Sequence, residues 1–285
     1  MKLSGSEHRM FRVFRNGACL TRFGFCSDNM GMNNEINENK NESAEVIFTG
    51  TISVKAVLEA RAKDCRILFV NKDKRTRDIA YIISLAKRSQ IPVELLSKTE
   101  MNLRFEKAGG VALEALPRSF ESLSACRELS GMAVYLSGVE DPHNLGSCIR
   151  SLYAAGTRMV ILPRRRWDFA SSVLLRASAG AWEKMPVFMI ENENELIEFR
   201  NRMQISMFCA SRRDPLSLFE YEMPETCIGV IGGALRGISA ALENACDARV
   251  CIPYGRDFRN ALDTPSAAAV FAFAWLKEHP ANIEK

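Results

Sequence analysis

Arg150 ends a run, Gly138-Val139-Glu140-Asp141-Pro142-His143-Asn144-Leu145-Gly146-Ser147-Cys148-Ile149-Arg150, that packs turn-formers, acids, a histidine and a cation together. The apolar stretch before it, Met132-Ala133-Val134-Tyr135-Leu136, reads as a buried strand. Asp141-Pro142 breaks that strand, and Asn144 is placed to cap a helix behind it. Gly146 leaves the backbone approachable, and Arg150 falls one to two turns into the helix, near its positive end. The helix dipole favours acids there, so the arginine is better explained by an anion docking at the carboxyl end of the strand.

Two further strand ends carry unusual residues, and ligands of open parallel sheets bind outside the carboxyl ends of the strands. In Ile231-Gly232-Gly233-Ala234-Leu235-Arg236-Gly237, the glycines Gly232, Gly233 and Gly237 either let a ligand lie on bare backbone or simply form a tight turn. Ile252-Pro253-Tyr254-Gly255-Arg256-Asp257-Phe258-Arg259-Asn260-Ala261-Leu262-Asp263 is a long polar loop feeding a final helix. A GxGxxG fingerprint and a P-loop are both missing, which argues against an ordinary nucleotide site. Arg164-Arg165-Arg166-Trp167 suits phosphate contact with base stacking, or equally a solvated strand end. His143 is either a helix-start hydrogen bonder or a catalyst. Lys72, Lys74, Arg75 and Arg77 lean towards a solvated face, and Phe271, Phe273 and Trp275 towards core or dimer contacts.

These loops need a scaffold. Short strands and helices alternate from Val46, with strands at 47–50, 65–70 and 91–96 and a helix at 77–88, which implies a small α/β domain over 44–116. Residues 117–130 read as a linker, helical in part. A second alternation over 131–285 offers strands at 133–138, 159–162, 186–190, 205–209, 227–232 and 248–252. Helices between them, and a long apolar one at 264–277, indicate a parallel sheet covered on both faces. Residues 1–43 read as a disordered segment or extension: 27–43 is rich in Asn and Glu, and 1–26 has the basic, acid-poor look of either a transit peptide or an unstructured tail.

With 285 residues, a net charge of +4 and a pI near 8.6, the chain permits a nucleic-acid partner without demanding one. Nine cysteines without a CxxC pair argue for reduced thiols in a cytoplasmic protein, and three histidines at long spacing argue against a metal site. No apolar run is long enough to span a membrane.

Taken together, the three loops resemble the SpoU (TrmH) branch of the SPOUT RNA methyltransferases. Glu140 to Gly146 with Arg150 matches the first motif, and Arg176-Ala177-Ser178-Ala179-Gly180-Ala181 the helix-and-turn signature that follows. Gly232 to Gly237 and Ile252-Pro253 through Ala267 fall where the second and third motifs lie. The resemblance covers roughly 131–278, and more weakly 46–115, which looks like the ribosomal-protein-like RNA-holding domain often fused in front.

It implies a deep carboxyl-terminal trefoil knot, a homodimer, and methylation of a ribose 2′-hydroxyl in structured RNA, ribosomal in preference to transfer. It also implies an S-adenosylmethionine site at Gly232, Gly233, Gly237, Ile252, Pro253 and Leu262. Arg150 would clamp a phosphate, Asn144 would orient Arg150 or the ribose, Asp263 would accept a hydrogen bond, and His143, Arg164, Arg165 and Arg166 would touch RNA. Two positions depart from the pattern: Ala234 stands for a glutamate, and Ala261-Leu262-Asp263 for Ser-Leu-Asn. They raise the alternative of a catalytically weak RNA-binding protein that keeps the fold.

Overall fold

The computed structural model describes residues 45–280 except 166, 168–169 and 234–236, so the reading of 1–43 lies outside the described residues. A first, mixed sheet joins β1 (Val46–Thr49), β2 (Cys65–Asn71), β3 (Val93–Leu96) and β4 (Val111–Ala115) in the order β1-β4-β2-β3. Strand β4 runs antiparallel to β1 and β2, whereas β2 and β3 are parallel. Gly50, at φ 86°, turns β1 into α1 (Thr51–Arg61) through backbone space that a side chain makes costly. Between β2 and β3 lies α2 (Arg77–Arg88), capped by the Thr76 side chain, which accepts from the Ile79 amide. A reciprocal capping box of Ser97 and Glu100 opens α3 (Lys98–Arg104).

The second sheet has the order β10-β12-β9-β11-β6-β7-β8-β5, and all its pairs are parallel. Its strands are β5 (Glu121–Ser122), β6 (Met132–Ser137), β7 (Met159–Pro163), β8 (Val187–Ile190), β9 (Ser206–Ala210), β10 (Leu216–Ser217), β11 (Cys227–Gly232) and β12 (Ala248–Cys251). Strand alternation divides β6 between two cores. Met132, Val134 and Leu136 pack on one side with α4 (Pro142–Ala154), α5 (Ser171–Ala177), α6 (Ala181–Lys184) and α9 (Thr264–Glu278). Ala133 and Tyr135 pack on the other with α7 (Glu193–Met203) and α8 (Ala240–Ala245). A sheet buried on both faces follows, as the apolar runs predict.

The stretch expected to be a linker, 117–130, holds the short strand β5 and a 3-10 turn at Leu123–Ala125. Its β5 pairs with β8, and Leu123, within a short 3-10 turn, is fully buried. Residues of the first sheet and of α1 share one continuous core with α4 and α9. Five of the seven described cysteines are buried thiols packed as small apolar groups. No helix among the described residues is long and apolar enough to cross a membrane, and no metal-ligating cluster occurs among them.

Candidate functional site

After β8 the chain crosses to the far side of β6 to form β9, and β11 then fills the slot between β9 and β6. The carboxyl ends of β6, β11, β9 and β12 therefore open on one edge of the sheet, since parallel strands end together.

The first motif leaves β6 through Gly138, at φ 69°, and enters α4 with Pro142 at its start. Its cap is Asp141, not Asn144: the Asp141 carboxylate accepts from the Asn144 amide at 2.8 Å. An acid beside the proline suits both the orphan amides and the dipole. Asn144 lies inside the first turn with its side chain exposed. Arg150 is eight residues past Pro142, about two turns in, beyond the reach of the terminal dipole. Its exposed guanidinium makes no ion pair among the described residues. Six residues separate it from Asn144, which at about 100° per residue places the two on different faces; His143, seven residues away, shares its stripe. Helix α4 thus pairs Arg150 with His143 and does not bring Asn144 against it. Gly146 admits protein and not ligand, because a Cβ there would lie 2.5 Å from the Ala177 Cβ of α5.

The second and third motifs do meet at a cavity of about 620 Å³. Gly232, Gly233, Gly237, Ile252, Pro253 and Leu262 all line it, with Tyr254, Phe258 and Phe271 adding aromatic walls. The glycines serve both of the readings open to them. Gly237 donates its amide to the Gly233 carbonyl at 2.9 Å, and a Cβ on Gly232 would lie 2.5 Å from the Gly237 carbonyl carbon, so the loop folds tightly on itself. A Cβ on Gly237 would meet nothing within 4 Å, which leaves its backbone open. The Leu262 amide donates to the Tyr254 hydroxyl at 3.1 Å and closes the third loop. Ala234 falls outside the described residues.

Sequence reading missed the β9 end, where Ala210, Ser211 and Arg212 form another wall. Only the strand order, which sets β9 between β11 and β12, puts it there. Arg212 reaches across to the Arg259 carbonyl at 2.5 Å, and the buried Glu243 carboxylate accepts from the Ser211 hydroxyl at 2.5 Å.

Asp263 does not line the cavity; it caps α9, accepting from the Ser266 amide at 2.7 Å. Asn and Asp fill that position about equally well, so an aspartate there keeps the local structure. Helix α9 packs against α4, where burial, aided by the Asp263 carboxylate, pushes the Cys148 thiol up to about 12. Hydrogen bonds from the Ser266 side chain and backbone hold the Asp263 carboxyl below its ordinary value. A depressed folded-state value stabilises above the usual aspartate range and is lost as pH falls through it. Asp263→Ala is expected to cost about 1 kcal/mol at neutral pH and less in acid, with Asp263→Asn near neutral, by urea denaturation at both pH values.

The cationic strand end is more tied down than expected. Arg164 pairs with Glu191, and Arg165 meets Glu140 at 3.1 Å. Trp167 is buried, which removes it as a stacking surface for a base, and Arg166 lies outside the described residues.

The chain is similar to known proteins in sequence and in fold. The chain is 29% identical over 211 residues to the 23S rRNA (guanosine-2′-O-)-methyltransferase RlmB of Coxiella burnetii, covering 72% of this chain and 84% of that protein. It is 22% identical over 244 residues to the RlmB of Blochmanniella floridana, covering 82% and 95%. Among solved structures, the AdoMet-bound rRNA methyltransferase from Sinorhizobium meliloti superposes with a TM-score of 0.67 at 18% identity, over 82% of this chain and 87% of that one. The SpoU methyltransferase AviRb from Streptomyces viridochromogenes gives 0.69 at 16% identity, over 83% and 90%. At such identities the structures speak for the fold. The SpoU rRNA Methylase family model matches residues 131–273, which span β6, all three strand-end loops and most of α9, and the chain belongs to that family.

Proposed function

We propose that this chain methylates a ribose 2′-hydroxyl of structured ribosomal RNA with S-adenosylmethionine as donor, as a cytoplasmic homodimer. The observation that carries the reading is the cavity at the ends of β9, β11 and β12, built from the loops of the second and third motifs. Its volume suits a cofactor-sized ligand. Ile231, Val250, Ile252, Leu262 and Phe271 offer apolar walls for an adenine, while Arg212, Arg256 and Asp257 offer charges for an amino-acid zwitterion. When bound, S-adenosylmethionine supplies an electrophilic methyl group on a sulfonium.

The protein's own contribution is placement. A ribose hydroxyl is a weak nucleophile, so holding it in line accounts for most of the barrier lowering. The Arg150 fork, which has no ion pair among the described residues, is suited to hold the neighbouring phosphate. His143, on the same stripe as Arg150, is suited to touch RNA beside it, whereas Asn144, in the same first turn as His143, lies on a different face of the helix. Arg164 and Arg165 could exchange their carboxylates for phosphates, because exposed pairs are worth roughly 1 kcal/mol or less.

Exposed Lys72, Lys74, Arg75 and Arg77 at the end of β2 support an RNA-holding role for the first sheet. Tyr153 on α4 and Phe273 on α9 are exposed on two helices that pack together, which supports a dimer through these helices. The order β12-β9-β11-β6 supports the knot. The alternative of a catalytically weak RNA-binding protein rests on Ala234 and Asp263, the second of which caps α9 as an asparagine would.

The test is incubation of the purified protein with labelled cofactor and ribosomal RNA from cells that lack it. Methylated riboses are then mapped by their resistance to alkaline cleavage. Incorporation at one position is expected. No incorporation into any RNA, with no cofactor binding by calorimetry, would sink the reading.

A further inference from the structure

The helix-and-turn signature between the first and second motifs lies outside the cavity, with Ser178, Gly180 and Ala181 buried. It forms α5, the turn at Gly180 and α6, and it touches the first sheet on one side and α4 on the other. Towards the first sheet, Arg61 of α1 reaches Glu183 of α6 side-on, donating from Nε at 2.9 Å and from one terminal nitrogen, Nη2, at 3.3 Å. The pair is nearly dry, with side chains 8% and 1% exposed. The remaining arm of Arg61 donates to the Leu116 carbonyl at 2.6 Å. Arg118 clamps the other side of α6, donating to the carbonyls of Trp182 and Met185. Gly180 lets α1 approach, since a Cβ there would sit 2.9 Å from the Ala56 Cβ. Towards α4, Gly146 abuts Ala177, and the Ser178 hydroxyl accepts from the Trp182 amide at 3.0 Å to lock the turn.

We propose that Arg61 and Glu183 are positioning residues that fix the first sheet to the helix carrying Arg150, so that the reactive ribose is measured off from the RNA-holding sheet. The inference rests on the proposed RNA-holding role of that sheet. A bidentate buried pair specifies geometry more than it stabilises, because dehydrating two charges offsets their attraction. A tethered sheet would raise local RNA concentration without choosing a ribose; a locked one does both.

The experiment compares the native protein, Glu183→Gln and the double variant Arg61→Met/Glu183→Leu on two RNAs. One is a large ribosomal RNA domain, and the other is a hairpin too short to reach the first sheet. The double variant removes both members of the buried pair together, so neither charge is left buried without the other; it also takes a donor from the Leu116 carbonyl and from the partly exposed Asp64. For the variants, KM for the large RNA is expected to rise about tenfold or more, and methylation to spread to neighbouring riboses. Turnover number, cofactor affinity and KM for the hairpin should stay within about twofold. Equal losses on both RNAs, which is also what misfolding would give, or no change on either, overturn the proposal. If the native protein already has the same KM for both RNAs, the RNA-holding role itself fails, and the proposal falls with it.

Discussion

Arg150→Ala is expected to lower kcat/KM for methyl transfer by about 10²–10³-fold, the loss typical of removing one donor from a preorganised site. Three observations set that size. The guanidinium is exposed and has no carboxylate partner among the described residues, so its charge is available to an anion. It projects from the interior of a helix whose Leu145, Cys148, Ile149 and Leu152 are buried, so its Cα is held by the core. It does not line the cavity, so cofactor affinity should stay within about twofold of native. Arg150→Lys should fall between the two, because a lysine keeps the charge but loses the planar fork. Calorimetry with the cofactor alone and rates at saturating cofactor separate these effects. A variant that transfers methyl groups at the native rate would remove Arg150 from the site.

How much of this was legible in the sequence depends on what each signal required. Strand β6 and helices α2 and α9 were legible because their apolar runs or periods exceed what a loop would carry. Strand β4 was not among the strands read for 44–116; Gly109-Gly110, both at positive φ, turn the chain into it, and it is one of the two inner strands of the first sheet. The two-residue strands β5 and β10 have no room for a pattern. The capping box that starts α3 was there to be read in Ser97 and Glu100, but a seven-residue helix carries little periodicity behind it. At the site, composition and order gave the motif loops. Neither could reveal that the β9 end adjoins them, which depends on a strand crossing the sheet. Gly146 was misread for a related reason: a glycine announces a close approach, and only packing tells whether ligand or protein approaches.

Gly233→Ala is expected to damage cofactor binding and methyl transfer together, because Gly233 belongs to the cavity wall and also touches the first motif. A Cβ there would lie 2.5 Å from the Gly138 carbonyl oxygen and 3.2 Å from that of Ser137. Both obstacles are backbone, so no side chain can swing aside, and the second loop must retreat from the end of β6. Gly138 itself sits at φ 69°, a conformation that resists compensating rotation. Overpacking of this kind costs about 1–3 kcal/mol in stability, and the displaced loop carries cavity residues with it. The cofactor dissociation constant should rise about ten- to a hundredfold, and kcat/KM should fall about 10²-fold, since displacement by an ångström is costly to an in-line reaction. Gly255→Ala is the matched control: it lies in the third loop, a Cβ there meets nothing within 4 Å, and its φ is not in the left-handed region. That variant should bind and react as the native protein does. Native cofactor affinity in Gly233→Ala would mean that the two loops move independently, and the site would then have to be assembled by ligand instead of by the packing of β6 against β11.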